Sequence, residues 1–150
     1  MNQALLTGIL LALLAGAVLP IQIGINSTLS KNIGSSLWAA TASFSVGAVA
    51  LLTLMLVTRQ PIQASAPLAQ LPLWIWFGGL LGAVHVSSAI MAAQRLSAAL
   101  LVALLVAGQM LIALWLDHRG ALGYGPEPIS LSRLLGACLL VAGVILIRRG

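Results

Sequence analysis

Apolar residues run along this chain in five long stretches separated by short polar segments. The stretches cover residues 4–26, 37–57, 73–93, 97–116 and 131–147. Each is close to the roughly 20 residues with which a helix crosses a hydrocarbon core about 30 Å thick. Unpaired backbone groups are too costly in lipid, and no stretch alternates as a barrel strand would. The pattern therefore predicts an all-α integral membrane protein with five transmembrane helices.

The connections between these stretches are short, which limits how the helices can be arranged. The longest distinctive one, residues 117–130, reads DHRGALGYGPEPIS and is rich in turn formers. Links of this length place consecutive helices side by side and antiparallel. We therefore expect a single five-helix transmembrane domain over residues 1–150. The first stretch has no basic segment before it and continues past residues 15–17, so we expect a span and not a cleaved signal peptide.

The composition excludes a soluble domain. Hydrophobic residues make up 61% of the chain and charged residues 6%, whereas soluble domains carry about 25% charged residues. The net charge of +5 comes from basic residues scattered singly between apolar runs, so no basic patch forms and nucleic acid is not expected as a partner. The lone cysteine, Cys138, rules out a disulfide framework.

The basic residues also bear on orientation in the membrane. With the N-terminus outside, four of them would be cytoplasmic and three external: Lys31, Arg95, Arg148 and Arg149 against Arg59, Arg119 and Arg133. An excess of Lys and Arg normally sets the cytoplasmic side. Because the two counts nearly tie, the sequence favours insertion in both orientations. The alternative is one orientation set by the two C-terminal arginines.

Several polar residues lie inside the predicted spans. Gln22 and Asn26 are four residues apart on one face of the first helix, just after Pro20, and are candidate solute ligands. The alternative is that the two amides only cap a helix end at the interface. His85 is a candidate because ionisable groups are rare in membrane spans, although it lies on a stripe with two glycines and could simply fill space. Gln109 lies deep in the fourth span.

Small and aromatic residues complete the set of candidates. Trp38, Phe44 and Trp74 are candidate aromatic walls of a solute path or interface anchors. A further small-residue stripe runs through Ala39 and Ser43 to a glycine. Small residues let helices approach closely, and five glycines are assigned to helix packing: Gly24, Gly47, Gly78, Gly82 and Gly136.

No span carries an acidic residue at its centre, and Asp117 is expected to be a solvated helix end. The sequence has no zinc or haem spacing, nucleophile elbow or phosphate-binding glycine loop. We therefore expect no enzyme activity, no catalytic residue, no metal and no cofactor.

Five segments of the chain are distinctive: PIQIGIN, SFSVG, WIWFGGLLGAVHV, GQMLIALWLDHRG and RLLGACLLVAGVILI. Together they resemble the small five-helix YdcZ-like family, within the drug/metabolite transporter superfamily. Residues 95–99, RLSAA, depart from the family, which commonly has a Pro and a Gly there. The matching positions are Pro20, Gln22, Asn26, Phe44, Gly47, Trp74, Gly78, Gly79, Gly82, Gln109, Asp117, Gly120, Arg133, Gly136 and Gly143.

The resemblance implies a multi-pass protein of the bacterial inner membrane, in a family whose members include dual-topology proteins. Together with the charge tie, it predicts an antiparallel homodimer of ten helices, the inverted-repeat plan of many transporters. The expected function is transport or export of a small, amphipathic or weakly charged solute. The alternative is a lipid-moving or structural membrane protein, with membrane lipids as partners. The substrate, the coupling ion and the direction of transport do not follow from the sequence.

Overall fold

The computed structural model describes residues 3–59, 61 and 71–149. Within these residues five helices are long and apolar enough to cross a membrane, which confirms the predicted all-helical fold. A short 3-10 helix, Leu73–Phe77, leads into the third. Most of the second predicted connection, residues 60 and 62–70, lies outside the described residues. The α-helices are α1 (Gln3–Ile33), α2 (Ser36–Thr58), α3 (Gly78–Ala93), α4 (Ala98–Arg119) and α5 (Leu131–Arg149).

Helix α1 is longer than its apolar stretch predicted. It has 31 residues, runs through Pro20 and continues past Asn26 to Ile33. Two polar residues near its end form hydrogen bonds with the helix itself: Thr28 Oγ1 donates to the carbonyl of Gly24 (3.0 Å), and Asn32 Nδ2 donates to that of Thr28 (2.8 Å). The interpretation that Asn26 caps a helix end is therefore wrong, because the helix continues beyond it.

The chain forms two compact units, Met1–Arg95 and Leu96–Gly150, and each is described by itself. In the first unit, α1, α2 and α3 all pack against one another. The buried apolar residues lie late in α1, early in α2 and late in α3, namely Ile23, Ala39, Ala40, Ala89 and Ile90. The described side chains of α1 before residue 19 are exposed, as are those of α2 after residue 43. Packing is therefore concentrated at one end of the three helices.

The second unit is the pair α4 and α5, which pack along each other. Its buried apolar residues are Leu101 of α4 and Ala137 of α5. Helix α4 ends at Gly120, whose φ of 59° is left-handed and whose N–H donates to the carbonyl of Asp117. Helix α5 is capped by Ser130, whose Oγ accepts from the N–H of Arg133 (3.3 Å). The prediction of a single domain over the whole chain stays a prediction.

Candidate functional site

Gln22 and Asn26 line one groove between α1 and α2, here called the amide groove. Its volume is about 450 Å³. The rest of its lining is apolar apart from Ser43 of α2. The lining consists of Val18, Ile21, Gln22, Ile25, Asn26, Leu29, Ala42, Ser43 and Val46. Among the described residues the groove therefore offers uncharged hydrogen-bonding groups on an apolar wall.

The side-chain amide of Asn26 forms a hydrogen bond between α1 and α2. Its Nδ2 donates to Ser43 Oγ at 3.1 Å, and the Asn26 side chain is buried. A buried amide in a membrane protein is costly unless it is paired, and Ser43 provides that pairing. In the described part of the chain no protein group donates to the Asn26 Oδ1. Gln22, one turn earlier, is exposed, so both amides retain hydrogen-bonding capacity for a solute.

Ser43 was not among the predicted site residues. The sequence placed it on a small-residue stripe that suggested packing, because serine fits both roles. Its position four residues after the buried Ala39 would have placed it on the packed face of α2.

A second polar cluster joins the ends of all three helices of the first unit. Ser30 of α1 and Ser36 of α2 share a hydrogen bond of 3.0 Å. Gln94, just after α3, donates from Nε2 to Ser30 Oγ (2.8 Å) and to Ser36 Oγ (3.3 Å). Ser30 is buried. This serine–glutamine cluster fixes the end where α1 stops, α2 starts and α3 stops, and none of its members was predicted to be functional.

Phe44 lies in a different groove, between α2 and α3. That groove has a volume of about 440 Å³ and includes Thr41, Ala83 and Ser87 in its lining. A Cβ added to Gly82 would lie 3.4 Å from the ring of Phe44, so the ring and the glycine are in contact. Gly82 therefore lies against a side chain of its own unit, and its assigned role in helix packing stays a prediction.

The other four glycines assigned to packing have open surroundings. No described atom outside their own helix neighbourhood lies within 4 Å of a Cβ built on any of them, namely Gly24, Gly47, Gly78 and Gly136. A packing role for them would need a surface outside their own unit, and it stays a prediction.

The remaining predicted residues are not in the lining of the amide groove. His85 of α3 is half-buried, does not line that groove and has no hydrogen-bond partner in the described part of the chain. Trp38 and Trp74 are 69% and 55% exposed near the ends of their spans, a placement that favours interface anchors over a solute wall. Gln109 belongs to the second unit and is exposed.

The second unit contains a charged cluster that the sequence did not predict. Asp117, at the end of α4, is about one-third exposed and lies 3.5 Å from Arg133 Nη1, at the start of α5. Arg133 Nη2 also forms a salt bridge with Glu127 of the connecting loop. Asp117 thus lies at a partly exposed helix end, as expected, and is in addition paired with Arg133. The pair Asp117 and Arg133 is 16 positions apart, and the fold of the loop between them brings the three side chains together.

Two of these three charged side chains line one end of an α4–α5 groove of about 370 Å³, and Glu127 reaches that end through its salt bridge with Arg133. Asp117 and Arg133 are in its lining, with Met110, Ala113, Leu114, Gly136, Ala137 and Leu140 forming the apolar remainder. In the described ranges no three His, Cys, Asp or Glu side chains are placed to hold a metal ion.

A protein-family model matches nearly the whole chain. The family model described as "Putative inner membrane exporter, YdcZ" matches residues 7–146. Comparison with curated proteins and with solved structures gives no match.

Proposed function

Because this chain belongs to the YdcZ family of inner membrane exporters, we propose that it exports a small amphipathic solute as a transporter of the drug/metabolite type. The observation that supports this choice of solute is the amide groove. Its volume of about 450 Å³ falls within the range of small-molecule sites, about 300–1,000 Å³. Such sites are mostly apolar and carry a few polar groups that fix the orientation of the ligand.

The chemistry of the groove favours an uncharged or weakly charged solute. Its polar lining groups are Gln22, Asn26 and Ser43, which donate and accept hydrogen bonds without carrying charge. A full charge would be costly in this apolar setting unless a counter-charge paired with it. A solute with a hydrogen-bonding head on Gln22 and Asn26 and an apolar body along Ile21 and Val46 would match both the polar and the apolar lining of the groove.

The packing of the first unit supports movement between two arrangements. The serine–glutamine cluster joins the three helices at one end, while the described side chains of α1 before residue 19 remain exposed. Alternating access in transporters arises when one helical group rocks against another around a central site. Helices joined at one end and free at the other are suited to such rocking.

We propose that a second copy in the opposite orientation completes the transporter. Two inverted copies would give the inverted repeat with a site near the midplane. The near tie in basic residues supports insertion both ways. The exposed Gly24 and Gly47, with open space where a side chain would be, offer close-approach surfaces for that partner.

One observation favours the alternative of a lipid-moving protein. The amide groove is bordered by the exposed side chains of Ile21, Ile25 and Val46. A groove bordered by exposed apolar side chains could admit a lipid from the side, with its head on the amides and its chains in the bilayer.

Transport by reconstituted vesicles distinguishes these functions. The full chain in vesicles is given uncharged amphipathic dyes and their quaternary ammonium analogues, and efflux of each is followed by fluorescence. We expect the uncharged dyes to be moved faster. Gln22→Leu and Asn26→Leu should each slow efflux by about tenfold, the rate effect of roughly 1.4 kcal/mol in binding or barrier.

Asn32→Leu is the matched control, because Asn32 is an exposed amide of the same helix outside the groove. It should leave efflux unchanged. Equal rates for charged and uncharged dyes, or full efflux in both groove variants, would rule out this site. Flipping of a fluorescent phospholipid without dye efflux would establish the lipid-moving alternative.

A further inference from the structure

The α4–α5 groove joins a charged end to an apolar interior. Asp117 is two residues before the end of α4 and Arg133 is the third residue of α5, so both lie at the boundary of their spans. Met110 and Leu140 form the other end of the lining. Each is seven residues farther into its helix, or about 10 Å deeper at 1.5 Å per residue. The groove therefore runs from the membrane boundary into the hydrocarbon.

The charges at the boundary are not placed for helix stability. An acid at a helix C-terminus and a base at an N-terminus both oppose the helix dipole. Asp117 and Arg133 occupy these positions and compensate each other through their contact at 3.5 Å. The contacts with Asp117 and Glu127 use two of the five N–H donors of the guanidinium of Arg133. That side chain is 35% exposed, so it can bind a further acceptor.

The formal charge of this cluster selects the ligand. Two carboxylates and one guanidinium leave one negative charge in excess. An anionic head group would meet Arg133 but be repelled by that excess. A zwitterionic head group with a phosphate and a primary ammonium matches both signs, because Arg binds phosphate well and an ammonium donates to carboxylates.

We propose that the α4–α5 groove binds a phospholipid of the phosphatidylethanolamine class. Its phosphate lies on Arg133, its ammonium on Asp117 and Glu127, and one acyl chain lies along Ala113, Leu114 and Leu140 at the surface of the groove. The ligand is a lipid because the charged end adjoins an apolar channel that enters the membrane. The inference concerns binding and holds whether or not the protein also exports a solute.

Native mass spectrometry of the delipidated full chain tests this site. Dioleoyl phosphatidylethanolamine, phosphatidylcholine and phosphatidylglycerol are added at equal concentration, and the retained lipid is counted. We expect the ethanolamine lipid to bind at least about fivefold more tightly than the other two, since it alone combines a phosphate for Arg133 with an ammonium that can donate charge-assisted hydrogen bonds to the carboxylates. Arg133→Gln should remove that preference.

A second variant keeps the test independent of the ion pairs. Gly136→Leu places a side chain in the groove, where a Cβ has open space around it, and leaves all three charges in place. It should lower retention of the ethanolamine lipid about fivefold. Gly143→Leu is the matched control, because Gly143 lies on the same helix outside the groove lining and also has open space. It should retain the lipid.

Three results would overturn the proposal. The first is that phosphatidylglycerol binds as tightly as the ethanolamine lipid. The second is that Gly136→Leu retains the lipid as well as the Gly143→Leu control does. The third is that glycerophosphoethanolamine, which has the head group without acyl chains, displaces the lipid at equal concentration. The ligand of the groove would then be a soluble molecule.

Discussion

At the scale of single residues, the helices of the first unit are joined by hydrogen bonds between uncharged side chains. Asn26 is buried and bonds Ser43 across two helices at 3.1 Å. Hydrogen bonds between membrane helices are worth about 0.6 kcal/mol on average, because the separated helices also find partners. Because this energy is small, we expect the bond to serve mainly to fix the position of the Asn26 amide in the groove.

A double-mutant cycle measures the bond between these two side chains. We expect Asn26→Leu and Ser43→Ala to be coupled by about 0.6 kcal/mol, and by no more than about 1.7. The coupling is obtained from unfolding of both single variants and the double variant in mixed detergent micelles. Additive effects within about 0.3 kcal/mol would show that the bond does not contribute in the membrane protein.

Gln94 is a further residue whose effect can be tested. Its Nε2 donates to Ser30 and Ser36, so Gln94→Ala leaves the buried Ser30 with one partner fewer. We expect a loss of about 1 kcal/mol in unfolding free energy and faster amide exchange at the end of α3. Gln109→Ala serves as control, since Gln109 is exposed and has no hydrogen bond in the described ranges. Equal stability of the two variants would contradict a structural role for the cluster.

At the scale of helices, hydropathy predicts that a helix crosses the membrane but not the residue at which it ends. The five spans followed from the sequence because crossing lipid requires a run of apolar residues, and such a run is visible in one dimension. The extension of α1 to Ile33 did not follow, because Thr28 and Asn32 satisfy their own polar groups on backbone carbonyls. Polar residues can therefore continue a helix where an apolar window ends.

The turn after α4 begins at a glycine in a left-handed conformation. Gly120 has φ 59°, and a Cβ there would lie 3.1 Å from Pro126 Cβ and 3.2 Å from Pro126 N. The carbonyl of Asp117 accepts from the N–H of Gly120 (3.2 Å) and of Glu127 (2.8 Å). The turn thereby folds the loop back so that Glu127 reaches Arg133.

Gly120→Ala should lower the unfolding free energy by about 1–2 kcal/mol, the cost of a left-handed conformation for a residue with a Cβ, and the contact with Pro126 adds to it. Gly125→Ala is the control, because no described atom lies within 4 Å of its Cβ position and its φ is not in the left-handed region. Thermal unfolding of both variants in detergent gives the comparison. Equal midpoints would mean that the turn rearranges without cost.

At the scale of the whole molecule, part of the candidate site followed from the sequence and part did not. Gln22 and Asn26 share a groove because four-residue spacing places two side chains on one helix face. The sequence did not predict the cluster around Arg133, because its contacts span 16 positions and depend on a turn. It also missed Ser43 and Gln94, since partners across helices are set by packing and not by spacing along one helix.

Orientation is also a property of the whole molecule, and the loop after α4 is the place to test it. Tyr124 and Ile129 are exposed there. Changing both to Lys should hold this loop in the cytoplasm and the C-terminus outside. Paired C-terminal reporters, one active on each side, should then report the outside alone, whereas the parent reports both. Changing both to Glu is the control, because acidic residues have little influence on insertion. A parent that reports only one side would exclude dual insertion.

The serine–glutamine cluster joins the three helices of the first unit at one end, so we expect α1 to rotate about that end. From Ser30 back to Gln3, α1 extends about 40 Å at 1.5 Å per residue. A rotation of about 5° at the joined end would move the far tip by about 3.5 Å over that length, so loss of a few contacts at one face becomes a displacement at the other. Spin labels at Thr7 and Thr53 should accordingly show a broader distance distribution than labels at Lys31 and Leu37. Equal widths would mean that the three helices move as one rigid body.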